Sequence, residues 1–227
     1  MKCTCENCSL SDAFFHALNP DSVGYYCSSK LELTYPPRTT VINQGDEIDK
    51  FIYLRTGLVK LERKNLETGV NQIISFNRPM DFISLMDIFG ETHYTYSITT
   101  LEESTFCVFD LNEVKKLINT NGEFGHKIIE IISHGTNQII NNLLMVVEKR
   151  FYGKVAWLLL FFADSIYNSQ QFELPISRKE MAEHLGLSVE TVIRALSTFR
   201  KDGLIKVYGK IIEIVDKEGL KLVFENN

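Results

Sequence analysis

Two helix-start signals eleven residues apart, with a glycine between them, constrain this chain more than any other feature in it. Ser177-Arg178-Lys179-Glu180 has the Ser-x-x-Glu form of a capping box, in which each side chain satisfies an orphan backbone donor at the start of a helix. Met181, Ala182 and Leu185 give that helix an apolar face, and Gly186 supplies the left-handed residue that ends it in a tight turn. Ser188 caps a second helix two residues later, running to about Lys201 and stopped by Gly203. On it Val189, Val192, Leu196 and Phe199 recur at three- and four-residue steps and predict a buried stripe. Glu190, Thr191 and Arg194 project from the other side near the N-terminal end, where a helix-turn-helix presents side chains to base edges in the major groove. Arg194 can donate a bidentate pair to guanine O6 and N7, and Glu190 can accept from a cytosine N4 amine. The competing reading is an intrahelical Glu-Arg pair, worth about 0.2–0.5 kcal/mol.

Leu204 to Tyr208, then Gly209-Lys210, then Ile211 to Val215 predict a two-stranded hairpin directly after the second helix, the wing of a winged helix. Arg178, Arg200, Lys206 and Lys210 then fall around its rim as phosphate contacts. The candidate DNA-binding residues are therefore Arg178, Ser188, Glu190, Thr191, Arg194, Arg200 and Lys210.

A net charge of -5 suits a polyanion partner poorly until it is divided along the chain. Residues 151–227 hold 10 basic and 10 acidic groups, against 14 and 19 for residues 1–150, so the deficit lies wholly upstream. From Ile176 to Lys210 seven basic side chains (Arg178, Lys179, Arg194, Arg200, Lys201, Lys206, Lys210) stand against four acidic ones (Glu180, Glu183, Glu190, Asp202). That surplus has the sign phosphate contact requires, and a solvated helical face accounts for it equally well.

With 227 residues the chain exceeds the roughly 100–150 of most single domains, so two are expected. From about Ser29 to Leu111 short strands alternate with turn residues: Val41-Ile42, Phe51 to Leu54, Leu58 to Glu62, Gln72 to Phe76, Tyr96 to Thr100 and Thr105 to Phe109. Their near-regular spacing argues for a sandwich or jelly roll, with Gly45 and Gly57 as turn residues of positive φ. A helix follows from about Phe124 to Lys149, on which Ile132, Ile139 and Val146 recur every seven residues with Leu143 beside them. That is the spacing of a coiled-coil seam, and pairing with a second copy of the chain is the expectation. After Gly153, Lys154 to Tyr167 reads as an apolar helix in a second core, carrying Trp157. The longest apolar run, Val155 to Ala163, is far shorter than the roughly 18 residues of a membrane span, and the N-terminus lacks a basic-then-apolar signal, so a cytoplasmic protein without a membrane partner is expected.

The stretch from Ile176 through Ser-Arg-Lys-Glu-Met-Ala-Glu-His-Leu-Gly-Leu-Ser-Val-Glu-Thr-Val-Ile to Arg194, with Asp202-Gly-Leu-Ile205 after it and Gly45-Asp46 and Gly57-Leu-Val-Lys60 in the sandwich, resembles the Crp/Fnr (catabolite-activator and fumarate-nitrate-reduction) regulators over nearly the full length. The resemblance implies an α+β chain: an N-terminal double-stranded β-helix of the jelly-roll, cyclic-nucleotide-binding-like type, a long dimerisation helix and a C-terminal winged helix-turn-helix. The corresponding division is 1–28 for a cysteine-containing segment, 29–116 for the effector roll, 117–150 for the dimer helix and 151–227 for the DNA-binding domain. The implied partners are double-stranded DNA with a palindromic operator, a second copy of the chain in a homodimer, and RNA polymerase. Glu190 and Arg194 match the family's base-reading pair, whereas Ile193 replaces the usual Ser or Gly and can touch a thymine methyl.

Cyclic-nucleotide members hold their ligand with a Gly-Glu and an Arg-Ser pair. Here those places fall on Ser84-Leu85 and Tyr96-Ser97, the candidate effector pocket, so both the carboxylate and the cation are missing and cyclic AMP is not expected. Iron-sulfur members use an N-terminal cysteine cluster with one cysteine in the roll, and Cys3, Cys5, Cys8 and Cys107 supply four candidate thiolates for an iron-sulfur cluster or zinc, with Cys27 as a possible substitute. Unliganded cysteines, with Cys107 packed as a small hydrophobe, and thiol-based redox sensing remain open beside these. The five histidines (His16, His93, His126, His134, His184) show no paired strand spacing, and no Ser-His-Asp elbow or phosphate-cradling loop occurs, so an enzyme is not expected.

Overall fold

The computed structural model describes residues 29–226 apart from Met80 and Phe82. The chain divides into two compact units, one of residues up to Leu66 with Ile74–Gln138, the other of Glu67–Ile73 with the chain from Ile139 onward. Mixed helix and sheet make it an α+β protein.

The first unit is built on a roll of seven strands, of which β5 begins in the Glu67–Ile73 stretch of the second unit: β1 (Leu31–Tyr35), β2 (Thr40–Ile42), β3 (Lys50–Thr56), β4 (Val59–Lys64), β5 (Asn71–Asn77), β6 (Ser97–Thr100) and β7 (Ser104–Asp110). They form two sheets, of order β1-β7-β3 and β2-β6-β4-β5. Side-chain alternation explains why β3 and β7 are buried on both faces. Ile52, Leu54, Phe106 and Val108 point into the roll against Val59, Leu61 and Ile98. Phe51, Tyr53, Cys107 and Phe109 point the other way, against two helices that follow β7. Gly57 takes φ 95°, and a Cβ there would run into the backbone of Glu103 and Ser104, so the β3–β4 turn admits only glycine.

The first of those helices, α1 (Leu111–Thr120), starts where the Asp110 carboxylate accepts from the backbone N–H of Asn112 and Glu113 at 2.8 and 3.1 Å. The second, α2 (Gly122–Glu148), is 27 residues long and starts two residues before the expected Phe124. It buries only Phe124 and Ile128. Of the expected seam, Leu143 is exposed and Ile132, Ile139 and Val146 are half-buried; Ile129, Ile140, Leu144 and Val147 stand out into solvent beside them. The exposed apolar row runs Ile129, Ile140, Leu143 and Val147, with the half-buried Ile132 on the same side.

In the second unit α3 runs over Phe151–Phe161 and widens into a π-helical turn, Phe162–Ile166, closed by Tyr167 N–H donating to the Phe162 carbonyl at 2.9 Å. The expected single helix from Lys154 to Tyr167 is corrected accordingly. The wide turn brings Phe162 and Tyr167 onto Phe172, with ring centroids 6.3 and 5.4 Å away. Phe172 lies in β8 (Gln171–Glu173), which pairs antiparallel with residues Ile211 to Glu213.

Candidate nucleic-acid interface

Helix α4 (Arg178–Leu185) begins with the capping box complete. Ser177 Oγ accepts from Glu180 N–H at 3.2 Å, and Glu180 Oε2 accepts from Ser177 N–H at 2.7 Å and from its hydroxyl at 2.8 Å. Gly186, at φ 62°, ends the helix, and Leu187 N–H returns to the Ala182 carbonyl at 3.0 Å. Ser188 then caps α5 (Val189–Lys201), its Oγ accepting from Thr191 N–H at 3.1 Å and lying 2.8 Å from the Thr191 hydroxyl. Ser188 and Thr191 thus hold each other at the head of the helix.

Met181, Ala182 and Leu185 of α4 and Val192, Ala195, Leu196 and Phe199 of α5 are buried. Val189, expected in that stripe, is exposed instead, while Ala195, not expected there, is buried. Burial of this stripe turns Glu190, Ile193, Arg194, Ser197, Arg200 and Lys201 outward. Ile193 is 50% exposed, an apolar side chain standing in solvent beside Arg194 on a charged face. No ion pair joins Glu190 to Arg194 among the described residues; the Arg194 guanidinium instead lies 5.3 Å from the centroid of the Phe151 ring. Glu190 sits in the first turn of α5, while Arg200 and Lys201 sit in its last, the placement the helix dipole favours at each end.

Behind α5 the wing consists of β9 (Ile205–Tyr208) and β10 (Ile211–Ile214), joined at Gly209 with φ 63°. Helix α6 (Lys217–Asn226) follows and buries Leu220. Lys210 at the hairpin tip is exposed, 3.8 Å from the Glu173 carboxylate. Lys206 pairs with Glu213 across the ladder at 3.3 Å. Arg178 is less free: it is half-buried, its Nη1 is 3.7 Å from Met181 Sδ, and desolvation lowers its pKa. The structure brings Ser188, Glu190, Thr191 and Arg194 onto one short stretch of α5, with Arg200 at the other end of that helix and Lys210 on the wing.

His184, on the same motif, is wholly internal. Its Nδ1 lies 3.0 Å from the Ile73 carbonyl, so this nitrogen carries the proton, and the ring stacks on Trp157 at 5.8 Å. Burial drives its pKa down to about 4 against the small upward pull of that hydrogen bond. Phe151 and Tyr152, which sequence reasoning passed over, pack against α5 from the start of α3: the Tyr152 hydroxyl lies 3.3 Å from that of Thr198, and its ring lies 5.9 Å from that of Phe199. The aromatic pair directly after Lys149-Arg150 was the available signal.

The four candidate effector-pocket residues are spent on the roll itself. Ser84 Oγ is buried and accepts from Ile52 N–H at 3.0 Å, and Leu85 sits in the core with Phe51 and Tyr53. The Tyr96 hydroxyl donates to the Ile83 carbonyl at 3.0 Å, and Ser97 Oγ accepts from Gln44 N–H at 2.9 Å. An apolar hollow of about 440 Å³ lies elsewhere, lined by Phe89, Ile118, Ile128, Ile129 and Ile132. Cys107 is buried, at 0% exposure. Cys3, Cys5, Cys8 and Cys27 lie outside the described residues, and among those described no group of three or more His, Cys, Asp or Glu could hold a metal ion. No described helix is long and apolar enough to cross a membrane.

Comparison with known proteins matches residues 32–121 to the cyclic nucleotide-binding domain and residues 153–223 to the Crp-like helix-turn-helix domain. The chain is 29% identical over 193 residues to Electron transport regulator A of Shewanella oneidensis, covering 82% of this chain and 75% of that protein. It is 28% identical over 189 residues to the transcriptional activator protein FnrL of Cereibacter sphaeroides, covering 80% and 75%. Among solved structures, FixK2 from Bradyrhizobium japonicum superimposes with a TM-score of 0.75 at 19% identity, over 86% of this chain and 96% of that one. A CRP-family transcriptional regulator from Thermus thermophilus does so at 0.73 and 17%, over 85% and 96%.

Proposed function

The chain belongs to the Crp/Fnr family of effector-responsive, DNA-binding transcription regulators and is not an enzyme, and from that premise we propose that Glu190 and Arg194 of α5 read base edges in the major groove. The observation that carries this reading is the exposed face of α5: the buried stripe of Val192, Ala195, Leu196 and Phe199 leaves a carboxylate and a guanidinium outward and unpaired with each other at the head of the helix. Ser188 and Thr191 set the angle of that head. Arg200 and Lys210 contact phosphate, and Arg178 contributes there with the part of its guanidinium that burial leaves free. Ile193 favours a thymine methyl beside the Arg194 contact.

Two copies joined along the exposed stripe of α2 place two such helices on a palindromic operator, from which the dimer acts on RNA polymerase. A cytoplasmic location accords with regulation at DNA. The effector is other than cyclic AMP: where a nucleotide would need a carboxylate and a cation, Ser84 and Tyr96 are buried and bonded to the backbone of the roll. For an iron-sulfur cluster or zinc, Cys107 is the sole candidate thiolate among the described residues.

The test is binding of the full chain to a duplex it selects from a random library, against a random duplex of equal length. Replacing Arg194 by Ala is expected to cost about 1–3 kcal/mol of discrimination at one base pair, roughly a tenfold to hundredfold loss of selectivity, with little change on random duplex. Serine at position 193 relaxes preference at the neighbouring step, and added cyclic AMP leaves the curves unmoved. An Arg194→Ala protein that still chose its operator as strongly as before would end this reading.

A further inference from the structure

We infer that Phe151 is a positioning residue for Arg194, its ring seating the guanidinium of the recognition helix in the DNA-free protein; this rests on the reading of Arg194 as a base contact. Arg194 has two candidate partners. Glu190 lies four residues earlier on its own helix, the spacing at which an ion pair forms most readily. Phe151 lies 43 residues earlier, at the first position of α3. The guanidinium takes the ring, 5.3 Å from its centroid, and leaves the carboxylate.

This choice matters because the two partners occupy different parts of the group. A carboxylate engages the N–H edge, the same edge a guanine O6 and N7 require. The Phe151 ring offers no oxygen lone pair, so with the guanidinium carbon 5.3 Å from its centroid it competes with a base edge for the N–H donors less than a carboxylate does. Seating on Phe151 therefore removes rotamer freedom from a long side chain without an ion pair, and it leaves the Glu190 oxygens open as well.

The ring is itself held in place. Its neighbour Tyr152 lies 4.1 Å away by centroid, packs on Phe199 at 5.9 Å, and has its hydroxyl 3.3 Å from that of Thr198. The first turn of α3 is thereby fastened to the helix that carries Arg194. A free surface phenylalanine would move with its own side chain and seat nothing.

A double-mutant cycle on the full chain tests the inference, reading the ratio of affinities for the selected and the random duplex. Phe151→Leu, which keeps apolar bulk and removes the ring, is expected to lower the ratio by about two- to fivefold, and Phe151→Tyr to leave it near the wild-type value. Both substitutions are expected to have no effect on the ratio once Arg194 is Ala. Should Phe151→Leu melt early, pentafluorophenylalanine at position 151, which keeps the ring's shape and reverses its quadrupole, gives the same readout. A ratio unchanged by Leu while Arg194→Ala destroys selectivity overturns the seat and spares the base contact. A Phe151 effect that persists without Arg194 overturns the seat too, since the ring then acts through packing. Selectivity that survives Arg194→Ala overturns the base contact, and the seat with it.

Discussion

At the scale of single residues, His184 shows how a polar group inside a reading motif becomes a constraint on conditions. Its imidazole is buried, stacked on Trp157 and bonded through Nδ1 to the Ile73 carbonyl, and its pKa falls to about 4 because burial disfavours the charged ring. The unfolded chain protonates the same ring near pH 6.5. Between those values the unfolded state binds the proton and the folded state refuses it, so stability is full above pH 6.5, declines as the pH drops to about 4, and loses nothing further from this group below. The decline is on the order of 3 kcal/mol. Thermal melts across pH 7 to 4 should show the His184→Phe protein less stable at neutral pH and flatter across that window than wild type; parallel slopes would assign the acid sensitivity to other groups. Position alone in the sequence marked this histidine as structural. Its depth was invisible, because the carbonyl it meets belongs to a strand 111 residues earlier.

At the scale of elements, legibility follows locality. The paired helices α4 and α5 were readable to within a residue, since each start and stop signal lies inside the element it bounds: Ser177 with Glu180, Gly186, Ser188 with Thr191. Six strands of the roll were readable because alternation is local too, whereas β1 (Leu31–Tyr35), with no fully buried residue, was missed. The π turn at Phe162–Ile166 was not, since it answers to Phe172 across a loop, and β8 is too short to show any period. Helix α6 had an overlooked cue in Asp216, whose carboxylate accepts from Gly219 N–H at 2.8 Å. Helix α2 was found, and the spacing that marked Ile132, Ile139, Leu143 and Val146 identifies an apolar stripe without saying how open each member stands: Leu143 is exposed and the other three are half-buried. The exposed row predicts its own use. Leu143→Glu with Val147→Glu places two charges per chain where a partner helix would lie while disturbing no buried contact. Sedimentation should then report monomers, and affinity for the palindromic duplex should fall by at least about tenfold through loss of the second half-site; a doubly charged protein that remained a dimer would move the interface elsewhere.

At the scale of the whole molecule, the outward pair Glu190 and Arg194 and the effector question stand in different units of the chain, and they were legible to different degrees for a physical reason. Reading DNA needs outward side chains on a stiff element, and a helical period exposes those directly: Glu190 and Arg194 are where their spacing put them. Sensing needs a lined interior, and which of Ser84, Leu85, Tyr96 and Ser97 turns toward open space depends on packing from both sheets. Ser84 and Tyr96 each spend their hydroxyl on a backbone partner more than ten residues away, contacts that the pattern marking the four could not show. The Phe151 seat was hidden for the same reason as the His184 depth, since 43 residues separate ring from guanidinium.

Cys107 sits at 0% exposure on the helix-facing side of β7, among Phe51, Tyr53, Phe109 and Phe124. Sulfur so enclosed reacts on a schedule set by the protein. An oxidant, an alkylating reagent or an assembling metal centre meets it only during the intervals when the roll breathes, so the tempo of any event at this atom is the tempo of opening. Peptide-level alkylation should find Cys107 modified slower than a thiol in a short peptide by orders of magnitude, quickening with denaturant well below the unfolding midpoint. Modification at the pace of a free thiol would mean the clock is not there.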